Sequence, residues 1–485
     1  MSAVAQPHDR PWRMHREHLV PVGSMLVLFT VSRIWGWESG VRFDATTVET
    51  FWQILDPTLL KEHLLQSIWY LHGQPPLYNL LLGVDLKVFG PHFATVAHGA
   101  QVAIGVAIGI SLYVLLFVNG VSRWWAAAVA SLLVVSPAML IYENWLFYEY
   151  LVAVLLLLTT LAFVGFQRRP TTGRSFAIFA ALAVLCYVRS SFQIVLLLAV
   201  LGLMLILFPE QRRIILIGAA IPFVLVVGLY LKNWALFGTP STSSWTGMNL
   251  MQVALNGLSD HDRQVLGGRR VLSPVSLAGT FQPLAAYQGL LPAARPRGIP
   301  VLDETTKPAS GAPNLNNIEY VAISQRQLHD FLRLLVNDPA PYLDGVGTGL
   351  ELAGTPSDEY WDADTNRAHI ATWAHVFDTG VLWQPRLYAA DGQTYGTAWG
   401  IVVGYLAALI FGAVEFVRAI RRRGGSATLA FVWLLLAYVA FVVTFGEVAE
   451  NQRIRFSVDP LAIILVSALG ARVVSRVRRA PGDIV

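Results

Sequence analysis

PLYNLLLGVDLKVFG, residues 76–90, is the stretch on which the reading of this chain turns. A helix needs about 20 apolar residues to cross the hydrocarbon core, and this one is shorter and carries Asp85 and Lys87. Around it lie ten longer apolar stretches, near 19–36, 95–118, 122–141, 146–166, 174–189, 192–208, 213–231, 396–417, 427–446 and 457–474. If 76–90 does not span, the links holding Arg123, Arg168/Arg169/Arg174, Arg212/Arg213, Arg418/Arg421/Arg422/Arg423 and Arg472/Arg476/Arg478/Arg479 all share a side with the basic tail Arg10, Arg13, Arg16. If it spans, all of them land opposite that tail. Because positive loops stay cytoplasmic, the pattern predicts an interfacial helix at 76–90, ten spans and both termini in the cytoplasm.

The whole composition agrees. The 485 residues are 55% hydrophobic and only 14% charged, against about 25% charged in soluble proteins, and the mean hydropathy is +0.52. The expected architecture is therefore an all-α polytopic membrane protein. It divides into an N-terminal transmembrane module, 1–231, with an outer loop at 37–94; an irregular and helical extracytoplasmic segment, 232–395; and C-terminal transmembrane helices, 396–485. The net charge of +4 comes largely from the arginines of the short links, so nothing points to a nucleic-acid surface. The one cysteine, Cys186, lies inside an apolar stretch and excludes an internal disulfide. The first stretch lacks a small-residue cleavage pattern and is expected to remain as an anchor. Residues 292–313, rich in proline and glycine, read as a mobile loop.

Several polar residues break the topological rule. Arg189, Arg453 and Arg455 fall at outer turns, where positive charge is disfavoured. A guanidinium at a membrane boundary suits phosphate, because its planar fork donates two hydrogen bonds to a pair of oxygens; the competing account is snorkelling, or pairing with Glu447 and Glu450. Acids gather on the same face: Asp44, Glu49, Asp56 and Glu62 after the first span, and Glu143 at the second outer turn. A carboxylate near the bilayer is costly unless paired or functional. Asp44 and Glu143 flank spans, whereas Glu49, Asp56 and Glu62 read as the wet face of a juxtamembrane helix. His72 opens His72-Gly-Gln-Pro-Pro-Leu-Tyr78, a corner stiffened by two prolines. Lys232 and Asn233 begin the outer segment, and the hydroxyl-rich stretch Ser241–Asn249 suits a polar substrate. Trp35, Trp37, Trp52, Trp69 and Trp145 read as an interfacial belt rather than as sugar platforms. There is no Walker motif, no Gly-x-Gly-x-x-Gly after a strand and no His-Glu-x-x-His.

Asp44, Gln74-Pro-Pro-Leu77, the Pro137…Glu143 turn, Arg189, Lys232-Asn233 with Phe237-Gly238, and Glu450-Asn-Gln-Arg-Ile-Arg455 together resemble the GT-C superfamily of membrane glycosyltransferases. More narrowly, the chain is similar to bacterial relatives of protein O-mannosyltransferases and aminoarabinose transferases. The resemblance implies transfer of a sugar from a polyprenyl-phosphate donor to a glycan, lipid or protein acceptor, at the extracytoplasmic face of the bacterial inner membrane. It implies Asp44 and Glu143 as catalytic acids. It implies His72, Gln74, Arg189, Lys232, Asn233, Glu450, Arg453 and Arg455 as donor-phosphate or substrate contacts. No cofactor and no metal are expected. Two positions depart from the family: Gln74 stands where lysine is frequent, and Ala45 follows Asp44 where a second acid is frequent. Two other classes fit the composition. A lipid or polysaccharide transporter would carry its polar groups at mid-span and show matching halves, and a non-catalytic envelope assembly protein would tolerate loss of Asp44.

Overall fold

The computed structural model describes residues 16–385 and 396–479. Arg10 and Arg13 of the basic tail lie outside the described residues. The protein is an all-α polytopic membrane protein, and the described residues contain no strand beyond two isolated bridges, Asp44 with Trp145 and Thr306 with Pro313. Seven helical runs are long and apolar enough to cross a membrane, and the bent pair Arg123–Val134 with Pro137–Glu143 makes an eighth. Two shorter apolar helices, Thr172–Val188 and Ile194–Leu207, bring the apolar crossings to the expected ten only if both also span.

The deciding stretch is a helix, Pro76–Phe89, that runs through a short turn at Gly90–His92 into Phe93–Val118. Together these 43 residues are about 65 Å long at the rise of an α-helix, roughly twice what one hydrocarbon core requires. Pro76–Phe89 packs on the first-loop helices Pro57–Glu62 and Leu64–Tyr70. Helix ends follow local chemistry. Ser136 accepts from Met139 N at 3.3 Å with Pro137 in the first turn, and Thr171 and Ser426 cap their helices in the same way. The Arg212–Phe237 helix ends at Gly238, whose φ of +69° is left-handed. It therefore continues past 231, and Lys232 and Asn233 sit in its last turns rather than at the start of the outer segment.

Asp56 also departs from expectation. It is 2% exposed and accepts from Thr58 N at 2.7 Å and Ala309 N at 3.0 Å, so it is a helix cap and not part of a wet face; Glu49 and Glu62 are exposed as expected. The 292–313 stretch is tied down there as well. Lys307 Nζ donates to Phe51 O at 2.6 Å and Ser310 Oγ to Glu49 O at 2.7 Å.

The described part of the 232–395 segment carries several helices joined by loops. Thr246–Asn256 packs against Glu319–Asn337 and Ala340–Ala353 so closely that a Cβ on Gly247 would come 1.9 Å from Ser324 O, and one on Gly345 1.9 Å from Val253 O. Tyr342 donates to Phe445 O at 2.6 Å, fixing this lobe to the end of the Ala427–Gly446 span.

Candidate active site

The site is built around one carboxylate. Glu149 opens the Glu149–Arg168 helix and is 1% exposed. Its Oε1 lies 2.8 Å from Arg189 Nη1 and 3.5 Å from Arg453 Nε. Arg189 reaches it because the Thr172–Val188 helix stops there and the backbone turns extended. Arg453 comes from the short Asn451–Phe456 helix. Its Nη2 is bound to Glu450, whose other oxygen accepts from the Tyr360 hydroxyl at 2.9 Å. Aromatic faces complete the seat: the Arg453 guanidinium stands 4.7 Å from the Phe147 ring and 5.3 Å from Tyr360, and Arg189 stands 5.0 Å from Tyr148. Arg453 Nη1, buried, makes no hydrogen bond among the described residues.

Both arginines line a cavity of about 490 Å³. Its lining is partly apolar, with Val442 and Val443 from the Ala427–Gly446 helix and Leu250 from the Thr246–Asn256 helix. The lining also carries hydroxyls and amides, from Gln53, Gln74, Ser190, Gln193, Ser241 and Ser243, and the indoles of Trp52, Trp245 and Trp361. Gln74 Oε1 is buried without a partner among the described residues. Glu447 lines the same space, and burial, with Glu450 beside it, pushes its carboxyl up to about 8. An anionic group entering here meets two guanidinium groups, each paired with a carboxylate and with Arg453 Nη1 left without a hydrogen bond, and an apolar chain meets Val442, Val443 and Leu250. Among the described residues no group of three His, Cys, Asp or Glu side chains is arranged to hold a metal ion.

Of the expected site residues, the structure gathers Gln74, Arg189, Glu450 and Arg453 around this cavity. Asp44 does not line it but adjoins it. Its backbone pairs with the 144–146 turn, Asp44 N donating to Asn144 O at 2.7 Å and Leu146 N to Asp44 O at 2.9 Å. Its Oδ1 accepts from Thr46 N and Oγ1 at 2.8 and 2.6 Å. The link to Arg453 runs through Trp145 and Asp362. The Trp145 indole donates to Asp362 Oδ2 at 2.7 Å, and its ring lies 5.8 Å from the Arg453 guanidinium. Burial raises the Asp362 carboxyl above the usual range, and the like charges of Asp44 and Glu450 add to the rise.

The other expected residues lie elsewhere. His72 is 1% exposed, with Nδ1 at 2.7 Å from Ser244 Oγ and Nε2 at 2.9 Å from Asn316 O, so both ring nitrogens are engaged in holding loops. Lys232 Nζ donates to the carbonyls of Trp69 and Leu71 at 3.1 and 2.9 Å, and Asn233 Nδ2 to Ser241 O at 2.6 Å. Glu143 is fully buried against Arg33, with Nη2 to Oε2 at 2.9 Å, and the Tyr150 hydroxyl lies 3.2 Å from the same oxygen. Arg455, two residues from Arg453 on one helix, points to the opposite side. Trp145, expected in an interfacial belt, is 2% exposed. Sequence reasoning passed over Glu149, counted within an apolar span although a lone carboxylate there is itself a signal. Trp361 and Asp362 carried no signal in the sequence.

The fold and this cavity define a multi-pass α-helical membrane protein with an arginine-lined internal site. No protein-family profile and no curated protein sequence matches the chain. Among solved structures, it is similar to ArnT from Cupriavidus metallidurans bound to undecaprenyl phosphate, at 16% identity and a TM-score of 0.32, over 96% of this chain and 80% of that one. The apo form of the same protein gives 16% identity and a TM-score of 0.30, over 93% and 77%. Superposition that loose assigns no residue a role, and the functional reading rests on the cavity.

Proposed function

We propose that this protein is a membrane glycosyltransferase of the GT-C type that moves a sugar from a polyprenyl-phosphate donor to an envelope glycan, lipid or protein acceptor. The observation that carries the reading is the convergence on Glu149 Oε1, at 2.8 and 3.5 Å, of Arg189 and Arg453, which both line a cavity of mixed apolar and hydroxyl-rich surface. That is the chemistry a lipid phosphate bearing a sugar requires. The forks hold the phosphate, the valines take the prenyl chain, and the amides, hydroxyls and indoles face the sugar. In an inverting transfer, Asp44 takes the proton of the acceptor hydroxyl as its oxygen attacks the anomeric carbon. The bond from that carbon to the phosphate oxygen breaks, and the two arginines stabilise the charge growing on the departing lipid phosphate. Donors fixed in place beforehand do this without reorganising.

The site belongs, on this reading, to the extracytoplasmic face of the bacterial inner membrane, with both termini cytoplasmic. Its residues come from the turns at 143–149, 189–193 and 446–456, at helix ends opposite the arginine-rich links. Incubating the purified protein in nanodiscs with a panel of radiolabelled polyprenyl-phosphate sugars tests the proposal. Wild type is expected to release or transfer sugar. Arg453→Gln is expected to weaken donor binding, and Asp44→Asn to keep binding while losing turnover. No turnover with any carrier, together with lipid movement between leaflets, would replace the enzyme with a transporter.

A further inference from the structure

Arg455 opens onto a second cavity, of about 370 Å³, on the far side of the Asn451–Phe456 helix. Positions two apart on an α-helix point about 200° apart, which is why Arg453 and Arg455 serve different spaces. The walls here are apolar and come from membrane-crossing helices: Leu132 and Leu133 from Arg123–Val134, Ile401 and Gly404 from Trp399–Ile420, Ile463 and Val466 from Asp459–Arg479. Beyond the cavity the Trp399–Ile420 helix leaves Val403, Leu406 and Ile410 more than half exposed, so an apolar chain seated between the walls continues along a lipid-facing surface.

The polar end carries both signs of charge. Arg455, 6% exposed, donates Nη2 to Thr355 O at 3.1 Å and Ser357 Oγ at 2.6 Å. Its Nε and Nη1 make no hydrogen bond among the described residues. Asp459 Oδ1 lies 3.7 Å from Arg455 Nε, outside hydrogen-bond range, and accepts from the Tyr405 hydroxyl at 2.6 Å. Asp358, on the same rim, is taken by Arg367 Nε at 2.9 Å. A guanidinium with two buried donors free of hydrogen bonds thus stands beside its ion-pair partner Asp459, whose Oδ2 has only a long contact from Ser357 Oγ at 3.5 Å, at the polar end of an apolar groove.

We infer that this second cavity binds a zwitterionic membrane phospholipid of the ethanolamine class, its phosphate on Arg455, its ammonium on Asp459 and a chain between the three helices. With Asp358 already paired to Arg367, a head of net negative charge would meet Asp459 with Arg455 as the one cation facing it. A choline head lacks the N–H donors that a carboxylate accepts. This site is separate from the sugar-transfer reading and does not depend on it.

The test counts lipids by native mass spectrometry on full-length protein released from nanodiscs of equal phosphatidylethanolamine, phosphatidylglycerol and phosphatidylcholine. Wild type is expected to retain phosphatidylethanolamine preferentially. Arg455→Gln and Asp459→Asn are each expected to lower that retention about tenfold, the size of one lost charge-assisted hydrogen bond. Gly404→Leu supplies a variant that leaves the polar rim intact: a Cβ at Gly404 meets open space, so the larger side chain fills the groove and should expel the lipid while the melting temperature holds. Equal retention of all three lipids, preference for phosphatidylglycerol, or unchanged retention in a folded Gly404→Leu protein would overturn the assignment. Because sugar turnover is not the readout, failure here leaves the transfer reading standing, and the reverse holds too.

Discussion

Arg189 Nη1 stands 2.8 Å from Glu149 Oε1, and both side chains are at most 3% exposed. Arg453 leans on the same oxygen from a third part of the chain and is also paired with Glu450, so Glu149 aims two guanidinium groups and Glu450 supplies the second counter-charge. Glu149→Gln leaves Arg189 without its carboxylate and Arg453 with Glu450 alone. Removing one partner of a buried pair costs about 3–5 kcal/mol, and the arginines lose their alignment as well. A lower melting temperature is expected together with weaker binding of a polyprenyl-phosphate sugar. Unchanged donor affinity in a folded Glu149→Gln protein would detach Glu149 from the site.

A second buried pair lies within the membrane helices. Arg33 donates to Glu143 through Nε at 3.0 Å and Nη2 at 2.9 Å, and its guanidinium stands 3.8 Å from the Phe29 ring. This geometry ties the Arg16–Glu38 helix to the 143–149 turn. Glu143→Gln alone is expected to destabilise the fold by about 3–5 kcal/mol, and the double variant Arg33→Met, Glu143→Leu to recover most of that loss. Turnover measured on the recovered double variant decides the role of Glu143: activity restored with stability makes it a tie, and activity still absent makes it a catalytic acid.

Much of this organisation was legible because membrane spans announce themselves by length and apolarity, and because charges at span ends are expensive enough to need a reason. Arg189 and Arg453 stand out that way, Gln74 and Glu450 only through the family resemblance, and all four line the cavity. Glu149 was hidden by the same rule, its charge submerged in the apolar run 146–166. Lys232 and Asn233 were misplaced because Leu231–Phe237 continues a helical pattern that hydropathy alone cuts short. Arg453 and Arg455 were read as one phosphate clamp; separating them required knowing that residues 451–456 form a helix, which six residues cannot declare. Trp361 and Asp362 became visible only once the outer lobe was folded over the cavity.

His72 gives the loops around the site a pH dependence. Burial pushes its ring down to about 4 from an ordinary 6.5, with Lys232 and Arg297 adding to the effect. Between those values the unfolded chain binds a proton that the folded protein refuses. Its contribution to stability is therefore complete above about 6.5 and falls as pH drops toward 4. Thermal unfolding in detergent should show a declining midpoint over that window, and His72→Gln should flatten the decline. A slope equally steep in His72→Gln would assign the acid sensitivity to other groups.

The facing of the site is decided by two engineered cysteines in a chain whose own Cys186 is buried. Ser122 is exposed in the link that carries Arg123, and the Asp260 side chain is 95% exposed in the outer lobe. Asn451, within the site's own turn, is 0% exposed and would stay silent on either side. If arginine-rich links hold the cytoplasmic side, an impermeant maleimide labels Asp260→Cys in intact spheroplasts and reaches Ser122→Cys only after permeabilisation. The opposite pattern would turn the cavity to the cytoplasm, where nucleotide-activated sugars are available and a lipid-linked donor loses its chemical rationale.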